Sequence, residues 1–164
     1  SWITAKRAIA IIRKMERVDV DYIEQPVLAH DIDGLKEITR STDITIIADE
    51  SVRPEYILKI IHEKAVDMLA LKVGGLGGIT AVKKYANLAE EGGLECSIGT
   101  YVAQTGILDA ASLHLYMSTQ NISLSEIGRS VILLDNNPAK GIVIENGEVK
   151  FKEELPGLGI SIED

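Results

Sequence analysis

The feature that most constrains this chain is a spacing. The β-branched run from Ile44 to Val52, ITIIADESV, ends abruptly in two carboxylates, Asp49 and Glu50. Strand-like runs with chemically distinctive ends recur on both sides of it. VDVDYIEQP reaches Glu24 25 residues before Asp49, and DMLALK reaches Lys72 23 residues after it. LECSIG then ends at Gly99 27 residues beyond Lys72, and NISLSEIG brings Glu126 to a comparable place after another 27. Isoleucine and threonine favour a pleated, half-buried backbone, so these runs read as strands and the stretches between them as helices. A strand-helix unit repeated in this way gives an α/β chain with a parallel sheet and right-handed crossovers. Such sheets place binding and catalytic groups at the carboxyl ends of their strands, where Glu24, Asp49 and Lys72 fall.

Local signals set the expected elements. Ser1 to Arg17 reads as a helix with Thr4 as N-cap and Ala8, Ile11, Ile12 and Met15 on one face. The first strand is expected over Val18 to Glu24, stopped by Gln25-Pro26 because proline cannot continue a ladder. Asp33 is expected to cap a short helix from Gly34 to Arg40, and Glu55 to Lys64 to form the next. A glycine cluster opens the helix Ile79 to Glu91, which closes at Gly92-Gly93, and Ile107 to Met117 forms another. Beyond Asp135 the pattern changes to a hairpin around Asn146-Gly147, the dipeptide that type I′ geometry favours. Residues 1–135 therefore read as about five strand-helix units and residues 136–164 as a hairpin tail. A complete eight-stranded barrel needs about 250 residues, so five strands make an open sheet or part of a barrel. No initiating Met precedes the first helix, and residues are expected to lie before it.

Seventeen basic against twenty-five acidic residues give a net charge of −8, which opposes a nucleic-acid footprint. No apolar run reaches the length of a membrane span and no signal peptide opens the chain, so a cytoplasmic location is expected. Cys96, the only cysteine, lies mid-strand and reads as a buried structural thiol. His30, His62 and His114 share no metal-ligand spacing and read as structural.

Glu24 and Asp49 end adjacent strands and would face one polar mouth, where oxygen ligands suit a hard cation such as Mg²⁺. Spacing alone leaves open a pair of solvated loop acids. Lys72 follows a buried apolar run and would meet the same mouth as a general base, the alternative being a lysine that snorkels to solvent. The glycines at 74, 75, 77 and 78 invite a dinucleotide-binding reading, but Thr80 stands where the third glycine of that fingerprint belongs. Gln104 and Thr105 follow the fourth strand as candidate neutral hydrogen-bonders to a ligand.

Taken in order, DYIEQP, IADES, LKVGGLGGI, IGTYVAQTGI and LPGLGI resemble the enolase superfamily, in its muconate-lactonising (mandelate racemase/muconate cycloisomerase) branch. The resemblance covers essentially the whole chain. It implies the C-terminal part of a (β/α)7β TIM-like barrel, whose tail would pack on an N-terminal capping domain absent here. It implies Mg²⁺, or Mn²⁺ in its place, held by three carboxylates, with Glu24 and Asp49 as two of them and Glu50 behind Asp49 in support. Lys72 becomes the catalytic lysine that handles a proton α to a carboxylate, by way of an enediolate. Gln104, Thr105 and Glu126 become substrate-binding positions. The implied activity is that of an isomerase, a cycloisomerase such as a muconate or chloromuconate cycloisomerase, or a racemase/epimerase, acting on a small carboxylate substrate. An acid-sugar dehydratase or o-succinylbenzoate synthase is the alternative within the superfamily.

Two departures qualify the resemblance. The third carboxylate and a second lysine should precede Trp2, so these 164 residues are expected to be inactive without the N-terminal half of the protein. The alternative to an enzyme is a non-catalytic structural fragment that self-associates through open sheet edges; the intact protein is expected to be a homo-oligomer. Gln104 stands where lactonising members carry glutamate, and no Asp-x-Asp pair of the kind shown by dipeptide epimerases surrounds Glu126.

Overall fold

The computed structural model describes residues 4–163. Five strands, β1 (Tyr22–Glu24), β2 (Thr45–Ala48), β3 (Met68–Leu71), β4 (Glu95–Ile98) and β5 (Ile122–Ser125), form one sheet in that order. All four neighbouring pairs are parallel. Helices α1 (Ala5–Met15), α2 (Ile32–Ser41), α3 (Ile57–Glu63), α4 (Ile79–Glu91) and α5 (Gly106–Ser118) precede or follow the strands, with a short α6 (Arg129–Leu133) after β5. The described residues thus form a sequential parallel (β/α) sheet, the open sheet or part of a barrel that the repeated spacing predicts.

Period-2 alternation divides the sheet into two faces. Ile46 and Ala48, Leu69 and Leu71, and Cys96 and Ile98 point outward and join Leu35, Ile38, Ile57, Ile60, Val82 and Ala86 of the helices in the main core. Burying a side chain such as Leu69 or Ile38 contributes about 1.5–3 kcal/mol, so this outer layer holds the fold. The opposite face carries a separate small cluster of Ile47, Met68 and Ala70. Among the described residues β1 and β5 each have one strand neighbour. No helix among them is long and apolar enough to cross a membrane.

Element ends differ from the expectations in instructive ways. The first strand begins at Tyr22 because Glu16–Val18 continue α1 as a 3₁₀ turn and Asp19 takes a left-handed conformation, φ 58°. The cap of α2 is Asp31 and not Asp33: Asp31 Oδ1 accepts from Gly34 N at 2.9 Å. That bond satisfies one of the free N–H groups of the first turn. Thr4 does sit at the N-cap of α1, without a side-chain cap bond, and Ser1–Ile3 of the expected helix lie outside the described residues.

After α6, β6 (Ala139–Lys140) pairs antiparallel with β9 (Ser161–Ile162), and β7 (Ile142–Glu145) with β8 (Glu148–Phe151). Asn146 and Gly147 have φ of 54° and 82°, the signs a type I′ turn requires. Ile142 joins the main core and Val149 and Phe151 pack against it. The Phe151 ring lies 4.8 Å from that of His114 on α5. The tail is therefore seated on the outer layer of the sheet's last units.

Candidate active site

The same alternation that separates the faces delivers the candidate side chains. Glu24 pairs with Ile47, on the inner face, and Asp49 is two residues beyond Ile47. Lys72 is two residues beyond Ala70, also on the inner face. All three reach one rim, at the carboxyl end of the sheet.

There, Lys72 and Asp49 form an ion pair in which both side chains are largely covered, 20% and 12% exposed. The Lys72 ammonium donates to Asp49 Oδ2 at 2.7 Å. It lies 2.5 Å from Oδ1, yet that buried oxygen receives no directed hydrogen bond. The stem of Lys72 lies against Gly99, where a Cβ would meet Lys72 Cε at 2.9 Å. Tyr101, in the loop after β4, holds its ring 5.3 Å from Lys72 Nζ. Its hydroxyl occupies the space that a side chain on Gly75 would need. The glycines of the two loops thus make room for the lysine and for the aromatic ring beside it.

Glu24 is exposed at the rim, yet partial desolvation of its carboxyl holds it above its ordinary value; the neighbouring Asp49 and Glu126 carboxylates push the same way, and Lys72 opposes them. Glu24 and Glu126 line a cavity of about 80 Å³ with Ser97 and Gly99. Asp49, Glu50, Lys72 and Tyr101 line an adjoining cleft of about 340 Å³. A larger concavity, about 730 Å³, lies at the other end of the strands against Thr45, Asp67 and Glu95 and holds none of these groups.

The donor set fits part of a cation shell. Asp49 Oδ1 is buried with the Lys72 ammonium as its neighbour, and the Asp49 carboxylate stands close enough to help hold the Glu24 carboxyl above its ordinary value. A hard cation would relieve the crowding of carboxylates around Glu24, and Mg²⁺ is satisfied by one or two carboxylates with water and substrate oxygens. Among the described residues no three His, Cys, Asp or Glu side chains gather closely enough to hold an ion unaided.

Other expected positions fall elsewhere. Glu50 is exposed, lines the cleft and forms no ion pair among the described residues; it faces solvent instead of backing Asp49. Gln104 is buried, its amide bonded to Tyr101 N and to the carboxylate of Asp109, which also accepts from Ser130 N at 2.8 Å. It ties the loop after β4 to α5 and α6 and does not face the rim. Thr105 is the N-cap of α5, its carbonyl accepting from Leu108 N and Asp109 N. Glu126 does reach the rim, held by Arg129 at 3.0 Å and close to Thr100.

A residue that periodicity gave no reason to single out ties the chain after Glu24 to the backbone of Asp49. Gln25 is 5% exposed, has φ 41°, and bonds both Asp49 N and Ser51 N through its side-chain oxygen. Only its place after Glu24 and before Pro26 marks it in the sequence.

The enolase C-terminal domain-like family matches residues 1–164, the whole chain. The chain belongs to that family. It is 32% identical over 158 residues to the L-Ala-D/L-Glu epimerase of Bacillus subtilis (strain 168), covering 94% of this chain and 43% of that protein. A substrate-liganded structure of the Bacillus subtilis L-Ala-D/L-Glu epimerase superposes with a TM-score of 0.87 over 96% of this chain and 44% of the other. The dipeptide epimerase of Enterococcus faecalis V583, solved with Mg and the dipeptide L-Leu-L-Tyr, is 31% identical with a TM-score of 0.89, over 97% and 45% of the two chains. Chloromuconate cycloisomerase of Pseudomonas putida is 28% identical over 154 residues, 93% of this chain and 41% of that one. The relatives are thus epimerases and cycloisomerases of the enolase superfamily, and the chain spans less than half their length.

Proposed function

We propose that the intact protein is a Mg²⁺-dependent isomerase that removes and returns the proton α to a carboxylate. The observation that carries this reading is the pairing of Lys72 with Asp49, beside Glu24, on one rim of the sheet. Glu24 and Asp49 would hold the cation. Bound there, it would supply the positive charge that makes a carbon next to a carboxylate acidic. Lys72 would carry the proton: its ammonium lies at the mouth, and its unbranched stem can swing over Gly99 from Asp49 toward a substrate carbon.

Within that class, transfer of one proton at one carbon, as in an epimerase or racemase, is favoured over cycloisomerisation. The relatives named as epimerases are 29–32% identical to this chain and the cycloisomerases 28–29%, a small margin toward epimerisation. The substrate class is then an N-acylated amino acid, and the missing Asp-x-Asp pair near Glu126 counts against a free dipeptide. The remaining half of the protein would supply the third carboxylate and a second lysine, pair with the edges of β1 and β5, and cap the rim against the tail.

The test is deuterium exchange. The intact protein in D₂O with Mg²⁺ is expected to place deuterium at the α-carbon of at least one acid in a panel of dipeptides, N-succinyl amino acids and muconates. Lys72→Met is expected to slow that exchange by about 10²-fold or more. Absence of exchange with every acid overturns the reading; equal exchange by Lys72→Met removes the lysine from it.

A further inference from the structure

The side-chain amide of Gln25 is fully used. Its oxygen accepts from Asp49 N at 2.9 Å and Ser51 N at 3.1 Å, and its nitrogen donates to Ser51 Oγ at 2.8 Å and Val27 O at 3.1 Å. An amide offers two lone pairs and two N–H groups, so nothing is left unpaired. Turning it over would set its NH₂ against two backbone donors, which fixes one orientation. Ser51, fully buried, passes the chain on by donating to Ala29 O at 2.7 Å.

This amide lies where the strand ladder ends. The last paired residues of β1 and β2 are Glu24 and Ile47, with one more backbone bond from Gln25 N to Ile47 O at 2.8 Å. Asp49 lies past that point, and the Gln25 side chain takes up its N–H. One residue thus follows Glu24 in the chain and grips the backbone of Asp49. Gln25 does so in a left-handed conformation directly before a proline, an arrangement both residues disfavour and surrounding bonds must impose.

We propose that Gln25 is a positioning residue that sets the separation and relative aim of the Glu24 and Asp49 carboxylates, so that both present oxygens to one divalent cation. The proposal rests on the cation-site reading above and adds to it the source of preorganisation. Two like charges left on independently mobile loops would spread apart; ordering them beforehand removes that cost from cation binding.

The experiment measures Mn²⁺ affinity of the intact protein by the electron paramagnetic resonance of free Mn²⁺, with folding checked by circular dichroism. Wild type is expected to bind Mn²⁺, and folded Gln25→Leu to bind it about tenfold or more weakly, since four hydrogen bonds are lost around the Asp49 loop. Ser51→Ala removes one partner of the Gln25 nitrogen and keeps both bonds to its oxygen, so a weakening of about threefold is expected. A purely structural role would lower the unfolding temperature and leave the affinity of the folded protein alone. Wild type that binds no Mn²⁺ overturns the cation site itself. Wild type that binds, with folded Gln25→Leu within twofold of it, overturns the positioning role only. Should Gln25→Leu not fold, Ser51→Ala decides: weakened binding supports the role, and unchanged binding overturns it.

Discussion

Gly99→Ala separates the reach of Lys72 from the stability of the fold. The Cβ it introduces would stand 2.9 Å from Lys72 Cε and 3.3 Å from Lys72 Cγ, against 3.5 Å from Ala70 Cβ. Carbon atoms prefer about 3.5–4.0 Å, so the far end of the lysine must retreat by about 0.6–1.1 Å. The backbone at Gly99 lies outside the left-handed region, and alanine fits it without strain. The yielding group is an unbranched, partly exposed side chain, which makes the energetic cost small. Gly→Ala also reduces the entropy of the unfolded chain, worth about 0.4–1 kcal/mol in the opposite direction. Net stability by urea denaturation should therefore change by less than about 1 kcal/mol. Proton transfer should not be spared, because a displacement of about 1 Å at a reacting group costs about 10²-fold. The assay pairs a urea titration with α-deuterium exchange by the intact protein. Exchange within threefold of wild type would refute the argument that Gly99 secures the lysine. A stability loss above about 3 kcal/mol would show that the strand, not the side chain, gives way.

Glu24→Gln tests the sign of the electrostatics at the rim. A carboxyl raised above its ordinary value in the folded state contributes stability at low pH and loses it as pH rises through the folded value. In metal-free buffer the variant should therefore gain on wild type in urea midpoint from pH 4 to pH 7, and a difference independent of pH would contradict the placement. Burial, with Glu90 and Glu95 nearby, pushes the Cys96 thiol up to about 12, so a thiol reagent at pH 8 should react with it only after denaturation; rapid labelling of the native chain would show it to be accessible. Asp109→Ala should cost about 3 kcal/mol by urea denaturation, because it strands the buried amide of Gln104 and the Ser130 N–H. A loss below about 1 kcal/mol would mean that those groups find other partners.

The parts of the fold that follow from periodicity were legible in the sequence. The helix Ile79–Glu91 and the cores of all five strands lie where β-branched runs and apolar spacing predict them. Glu24, Asp49 and Lys72 could be picked out because a strand's alternation fixes which face a residue takes and its end fixes the rim. The roles of loop residues were not legible in this way. Asp31 and Asp33 both satisfy the sequence signal for a cap, and only the path of the chain selects Asp31. Gln104 and Gln25 are both polar residues of loops that follow a strand; one amide turns inward to Asp109 and the other spans two strand ends. Neither direction is encoded by a repeat. Glu50 adjoins Asp49 and lines the same cleft, yet it lies in the turn beyond Ala48, where strand alternation no longer fixes a side, and it emerges into solvent.

The seat of the hairpin bears on how such proteins can be cut and recombined. The strand-helix rhythm stops near Asp135, which invites a splice at that point. Yet Ile142 is part of the same apolar layer as α5, and Phe151 rests on His114. A donor tail from another family member would have to match those contacts or leave the final helices half bare. Residues 106–163 are best exchanged as a single cassette, with the junction in the loop ahead of α5.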